Sequence, residues 1–262
     1  MPSKTLLVNE VFGPTIQGEG PATGRRCAFV RLAICPLRCT WCDTPYTWAF
    51  SDPIAAHHQS RKVYDYTEEV HEMSVGDVAS QAIFCATGAS LVVLSGGEPL
   101  AQVPVSMQRP ETTVEESLGD PVGLLVNTLL EAGIETNIET AGIRRPSPFL
   151  HEAVGGYAVS PKLATSGNSL RVRRNLDVLN FFAGSNKAFF KFVVKNPGDF
   201  SEISQIAALC KIPPWRIWVM PEGTTPQALQ DKMTFVADRG IRAGYNVSSR
   251  LHILAWGDQR AH

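Results

Sequence analysis

The sequence has almost no net charge: 24 Lys and Arg stand against 25 Asp and Glu, leaving −1 at pH 7. So balanced a chain lacks the basic excess that contact with phosphate backbones requires, and nucleic acid is not expected as its main partner. No apolar run approaches the roughly 20 residues needed to span a bilayer. Met1 to Glu10 contain no basic segment followed by a long apolar one, so no secretory leader is expected and the chain is read as cytoplasmic. Without a leader, the 6 cysteines are read as reduced thiols rather than as a disulfide framework. Cys27, Cys85 and Cys210 are scattered among apolar residues and are read as packing. No composition break and no internal repeat divides the chain. It is read as a single core domain over residues 1–262, and 44% hydrophobic residues suffice for one sizeable core.

One more absence is informative. Cys35, Cys39 and Cys42 lie within Cys35-Pro36-Leu37-Arg38-Cys39-Thr40-Trp41-Cys42-Asp43-Thr44, and no fourth Cys or His follows at a finger-like spacing. His57 and His58 come next, without a patterned approach. Soft thiolates select zinc, copper(I) or iron–sulfur clusters. Structural zinc takes four protein ligands and ordinary iron–sulfur centres take four cysteines. Three local thiolates leave one corner of a metal group open for chemistry. Two blander readings stay beside this one: three buried apolar cysteines, or a zinc site with a distant fourth ligand.

Along the chain, short apolar runs alternate with helical stretches. Strands are expected at Leu6–Phe12, Cys27–Ile34, Leu91–Leu94, Ile134–Thr140, Tyr157–Val159, Ala188–Val194, Arg216–Val219 and Gly244–Val247. Ser74-Val75-Gly76-Asp77 reads as a helix-start box. Asp120-Pro121 and Thr225-Pro226 each place a cap before a proline in the first turn. Strand–helix alternation argues for a parallel sheet, and the short repeats suggest an incomplete βα barrel of the TIM type rather than eight full units. Residues 45–73, with Pro45 and Pro53 and little periodicity, read as an excursion in which His57, His58 and His71 are solvated. Residues 101–118 read as an exposed insertion.

Three further stretches attract attention. Gly13-Pro14-Thr15-Ile16-Gln17-Gly18-Glu19-Gly20-Pro21 reads as a loop in which Gln17 and Glu19 could grip the hydrogen-bonding edge of a purine- or pterin-like ring, or serve a plain surface turn. Arg31 inside an apolar strand requires an acid, either a protein carboxylate or a substrate carboxylate. Ser95-Gly96-Gly97-Glu98-Pro99 follows a buried strand; its glycines expose backbone groups, and Glu98 could fix a cationic amine.

Together with Ser160-Pro161-Lys162 and Met220-Pro221-Glu222-Gly223, these motifs resemble the 7-carboxy-7-deazaguanine synthase family of radical S-adenosylmethionine enzymes, over nearly the whole chain. The resemblance implies a partial-barrel lyase that converts 6-carboxy-5,6,7,8-tetrahydropterin to 7-carboxy-7-deazaguanine and ammonia in queuosine and other deazapurine biosynthesis. It implies a 4Fe–4S cluster on Cys35, Cys39 and Cys42. S-adenosylmethionine would lie against Trp41, Cys42, Asp43, Gly97, Ser160, Pro161, Lys162, Met220, Pro221, Glu222 and Gly223. The pterin would meet Ile16, Gln17, Gly18 and Glu19, with Arg31 on its carboxylate and Ser95 nearby, and Thr44 would ligate Mg²⁺. The resemblance also implies a homodimer and an electron donor such as flavodoxin. Pro36 and Ile34 stand where many members carry Asn and Gly, Arg250 and His252 match only loosely, and the terminal Gln259-Arg260-Ala261-His262 is given no role. Two rival readings remain: a glycyl-radical activating enzyme, which shares the cysteine spacing and the Gly-Gly-Glu-Pro turn, and a non-enzymatic zinc module.

Overall fold

The alternation legible in the sequence is realised in the computed structural model, which describes residues 4–262. Its strands are β1 (Thr5–Ile16), β2 (Arg26–Leu32), β3 (His71–Ser74), β4 (Leu91–Gly96), β5 (Glu135–Thr140), β6 (Gly156–Val159), β7 (Ala188–Val194), β8 (Ile217–Pro221) and β9 (Asn246–Val247). The strand order is β3-β1-β2-β4-β5-β6-β7-β8-β9. The pairs β2/β4, β4/β5, β7/β8 and β8/β9 are parallel. β3 instead runs antiparallel to β1. No helix among the described residues is long and apolar enough to cross a membrane.

The chain divides into two compact units. The first holds the chain up to Thr15 with Arg26–Thr140 and Arg144–Tyr157; the second holds Ile16–Arg25, Ala141–Ile143 and Ala158–His262. In the first, β2 and β4 are in register from Ala28↔Val92 to Leu32↔Gly96. Period-2 alternation puts Cys27, Phe29 and Arg31 on one face with Leu91, Val93 and Ser95. The apolar members form one cluster, with Phe29 packed on Cys27, Leu91 and Val93 and Phe12 stacked on Phe29 at 5.2 Å. Ala28, Val30 and Leu32 alternate to the other face and are fully buried.

The cap signals read from the sequence form as expected. Ser74 Oγ accepts from Asp77 N at 3.1 Å before the helix Val75–Cys85. Asp120 Oδ1 accepts from Val122 N at 2.9 Å before Pro121–Glu131. Thr225 Oγ1 accepts from Ala228 N at 3.2 Å before Pro226–Arg242. Each side chain satisfies a backbone donor that the first turn leaves unpaired.

Four expectations are corrected. The first strand does not stop at Phe12 but continues through Gly13 and Pro14 to Ile16. The excursion at 45–73 carries two single-turn helices, Asp52–Ala55 and Tyr66–Glu69, besides β3. Its Trp48, Ala49 and Ala55 are buried in a small core that also packs Cys35 and Cys42. Tertiary packing against the cysteine loop supplies the order that helical periodicity does not announce. His58 is buried rather than solvated, whereas His57 and His71 are exposed as expected. Residues 101–118 are partly embedded, with Val103 and Ser117 buried and a capping box on Thr113 and Glu116.

Candidate functional site

In the first unit the cysteine loop leaves β2 and is clamped by the turn after β4. Gly97 N donates to Leu32 O at 2.8 Å and Glu98 N donates to Ile34 O at 3.0 Å. The approach is so close that a Cβ on Gly97 would lie 2.1 Å from Ile34 O. Only glycine permits this contact. The two motifs read separately along the sequence are therefore one backbone assembly.

Cys35, Cys39 and Cys42 are all free thiols. Burial pushes the Cys35 thiol well up, and Glu98, Cys42 and Cys39 push it further by charge, so the three sulfurs are near enough to feel one another. Burial also raises the Cys42 thiol, with Asp43 adding to it, while hydrogen bonds from Trp48 and Thr44 lower it. Among the described residues no three His, Cys, Asp or Glu side chains are gathered as a single-ion site. A 4Fe–4S cluster requires less convergence, because each thiolate binds a different iron. Three soft, neighbouring sulfurs on a tight loop, with the glycine turn pressed against it, fit such a group. Bound iron would supply the positive charge that holds these thiols deprotonated.

Arg31 and Ser95 are register partners at the ends of β2 and β4. Arg31 Nε donates to Glu10 Oε1 at 2.7 Å, and the guanidinium lies 5.4 Å from the Phe12 ring and 5.8 Å from the Tyr46 ring. Burial opposes its charge, but Tyr46, Glu10 and Asp43 outweigh burial and hold Arg31 protonated. Its terminal nitrogens make no hydrogen bond among the described residues. Beside it, the Ser95 hydroxyl is buried without a partner, an arrangement that costs about 1–3 kcal/mol when nothing fills it. Glu98 is 1% exposed and takes a bland role in part: its Oε1 accepts from Leu100 N at 3.2 Å and Thr140 Oγ1 at 2.7 Å. Thr44 Oγ1 lies 3.6 Å from Cys42 Sγ, and Thr44 O accepts from Thr47 Oγ1 at 2.8 Å.

Ile34 opens this loop in the left-handed region, at φ 70°. A β-branched residue there is strained by about 1–2 kcal/mol. Its half-buried side chain returns about half of the 1.5–3 kcal/mol of full burial. Ile34→Gly is therefore expected to change stability by no more than about 1 kcal/mol, where a buried Ile cut even to Ala normally loses 2–5 kcal/mol. Urea denaturation measures this, and a loss of about 3 kcal/mol would show that Ile34 is not strained.

In the second unit Glu19 is the hub. Its Oε2 accepts from Lys191 Nζ at 2.6 Å on β7, and its Oε1 accepts from Arg250 Nε at 2.8 Å. Burial works against the charged Glu19, yet Lys191, Arg250 and His252 hold its carboxyl well below the usual range. Gln17 Oε1 accepts from Glu19 N at 3.0 Å. Gly18 is crossed by His252, whose Nδ1 would stand 1.9 Å from a Cβ there, and Gly18 O accepts from Leu251 N at 2.9 Å. Arg250 Nη1 donates to Gly223 O at 2.7 Å, so one side chain ties the Gln17–Glu19 loop to the Met220–Gly223 turn. In that turn Glu222 pairs with Lys232 at 2.8 Å. Lys162 Nζ donates to Ser160 Oγ at 2.9 Å, and Arg173 Nη1 braces Lys162 O at 3.0 Å.

The structure thus brings Cys35, Cys39, Trp41, Cys42, Asp43, Thr44, Gly97, Arg31 and Ser95 into the first unit, and Ile16, Gln17, Gly18, Glu19, Ser160–Lys162 and Met220–Gly223 into the second. Sequence reading missed Lys191 and placed Arg250 and His252 near the site only by a loose motif match. The signal available for Lys191 was a charged residue inside an apolar strand, the same signal that singled out Arg31.

Comparison with known proteins adds kinship. The chain is 34% identical over 255 residues to the 7-carboxy-7-deazaguanine synthase of Pyrobaculum aerophilum, covering 97% of this chain and 96% of that protein. It is 32% identical over 259 residues to the 7-carboxy-7-deazaguanine synthase of Hyperthermus butylicus, covering 95% and 92%. Among solved structures it is similar to QueE from Escherichia coli, with a TM-score of 0.63, 24% identity and 95% of each chain covered. That likeness places the fold in the partial-barrel α/β class. No protein-family model matches the chain.

Proposed function

The chain belongs to the 7-carboxy-7-deazaguanine synthase family, and from that premise we propose which of its residues carry the work of a radical S-adenosylmethionine lyase. The enzyme makes 7-carboxy-7-deazaguanine and ammonia from 6-carboxy-5,6,7,8-tetrahydropterin, a step of queuosine biosynthesis. When bound to Cys35, Cys39 and Cys42, a 4Fe–4S cluster supplies the electron that cleaves S-adenosylmethionine and so starts the radical chemistry. The observation that carries the reading of the substrate residues is the pairing of Arg31 with Ser95. A half-buried guanidinium with two uncommitted nitrogens, next to an unpartnered buried hydroxyl, suits a carboxylate held by two hydrogen bonds.

Gln17 and Glu19, with Ile16 and Gly18, would hold the polar edge of the pterin, and the double ion pair at Glu19 supports this by keeping the carboxylate charged and still. Trp41, Asp43, Gly97, Ser160, Pro161, Lys162 and Met220 to Gly223 would bind S-adenosylmethionine, whose charged groups suit exposed backbone at glycine-bearing turns. The whole chain acts as one catalytic core, in the cytoplasm, as a homodimer reduced by a donor such as flavodoxin. Anaerobically reconstituted protein given dithionite, S-adenosylmethionine and 6-carboxytetrahydropterin should release 7-carboxy-7-deazaguanine. A cluster-loaded protein that binds substrate and makes none would refute the reading.

Thr44 would ligate a Mg²⁺ that also touches substrate, since a hard ion with few protein ligands suits that cation. Thr44→Val is then expected to lower turnover on the order of 10²-fold, the cost of a small misplacement at a reacting centre, and to blunt the magnesium response. Iron content and S-adenosylmethionine binding should persist. Unchanged turnover with an unchanged magnesium response would leave the hydroxyl to its contact with Cys42 Sγ.

A further inference from the structure

Cys42 has more hydrogen-bond donors around its sulfur than a packed thiol requires. Trp48 Nε1–H points at Cys42 Sγ from 3.4 Å, the Thr44 hydroxyl lies at 3.6 Å, and Thr44 contributes its backbone N–H as well. Trp48 is 4% exposed, and the sulfur is the one partner its indole N–H has among the described residues. A buried indole N–H normally finds an oxygen acceptor; here it is spent on a soft, weak one. A neutral thiol accepts poorly, whereas a thiolate carrying metal-bound negative charge accepts well.

His58 completes the arrangement. Its Nδ1 accepts from Ser60 N at 3.2 Å, which leaves the proton on Nε2. That nitrogen donates to Cys42 O at 2.9 Å. The His58 ring stands edge-on to Trp48, with centroids 6.1 Å apart and planes at 76°. Gln59 N also donates to Thr40 O at 2.9 Å. The excursion after the cysteine loop is thus folded back on the loop and grips Cys42 by its sulfur and its carbonyl.

We infer that Trp48 tunes the redox potential of the cluster through its N–H···S bond to Cys42, with His58 as the positioning residue that holds both in place. This rests on the assignment of the three cysteines to a 4Fe–4S cluster. Adding one electron to such a cluster increases the negative charge on its sulfur ligands. A donor aimed at one ligand in a buried setting stabilises the reduced state more than the oxidised state, so it raises the potential. Removing the N–H should lower it. Trp48 is therefore a residue that decides what strength of reductant can start the reaction, without touching substrate.

The test is a redox titration of the reconstituted holoenzyme, with dithionite as the one-electron donor and the reduced cluster followed by electron paramagnetic resonance. Trp48→Phe keeps an aromatic ring and loses the donor. It is expected to retain full iron, to shift the midpoint to a more negative value, and to lack one proton coupling that the wild type shows in ordinary water and loses on exchange into deuterated water. If Phe fails to hold the loop, 3-benzothienylalanine at position 48 keeps the bicyclic shape and lacks only the N–H. His58→Ala, which frees the indole, is expected to weaken the same coupling. Full iron with an unchanged midpoint and an unchanged proton coupling, in either position-48 variant, overturns the inference. Wild-type protein that takes up no iron would instead refute the cluster assignment on which it stands.

Discussion

Cys39→Ala is expected to lose bound iron and turnover together while the chain stays folded. Cys39 is 6% exposed on the loop that follows β2, and the cores of both units come from strands and helices elsewhere. The substitution removes one small sulfur from a loop whose shape is set by backbone bonds, Gly97 N to Leu32 O and Glu98 N to Ile34 O. Its direct cost in packing is about 1 kcal/mol or less, small against the 5–15 kcal/mol that holds a typical domain together. The cost in function is complete, because two thiolates cannot hold a cluster that needs three protein corners, and His58, packed on the same loop, has its ring nitrogens committed to Ser60 and the Cys42 carbonyl. Iron analysis, the visible absorption of the reconstituted protein and thermal melting measure the three parts separately. Retained iron with turnover above a tenth of the wild type would refute the triplet as the cluster site, and a melt that disappears would show that the loop carries more of the fold than its backbone clamp implies.

The second large effect belongs to Glu19. Glu19→Gln leaves Lys191 and Arg250 buried without their shared anion; both side chains are 7% exposed in the ion pair. Breaking a buried pair by removing one partner costs about 3–5 kcal/mol, a large share of the total. The pH dependence has a definite sign. The Glu19 carboxyl in the folded chain is held well below its ordinary value, because Lys191, Arg250 and His252 together overcome the penalty of burial. An unfolded glutamate titrates near ~4.3, so the contribution of Glu19 is fully present above that value. It is lost as pH falls from there through the lower folded-state value. The stability gap between wild type and Glu19→Gln should therefore be widest near neutrality and narrow below about pH 4.5. Denaturant titrations at several pH values measure it. A gap under about 1 kcal/mol at neutral pH, or one that does not narrow in acid, would mean that the pairs are already solvated. Glu19→Gln combined with Lys191→Met should recover part of the loss, since it removes one of the two stranded cations.

Much of this protein is written in local sequence because the signals are short in range. The cysteine spacing, the caps at Ser74, Asp120 and Thr225, and the apolar runs of β4 and β7 each depend on neighbours within a few residues, so the local pattern names them. Kinship was legible too, since the motifs that carry it are contiguous and sit at the ends of strands. Other features depended on contacts that no local window contains. Lys191 and Arg250 meet Glu19 from 172 and 231 residues away; a lysine inside an apolar strand calls for an acid, but no local window says which one. His58 was read as solvated because its neighbours are polar; only the folding of the excursion onto the cysteine loop buries it against Trp48 and the Cys42 carbonyl. β3 was missed because its four residues lack a strand pattern and are held by pairing with β1. The short helices at Asp52–Ala55 and Tyr66–Glu69 are similarly too brief to be stable alone. What the sequence by itself determined, then, was the set of chemical groups and the elements that local propensity can hold. What the tertiary structure decided was which charges share a burial site, because the cost of desolvating an ion is met only by a partner that folding brings from far along the chain.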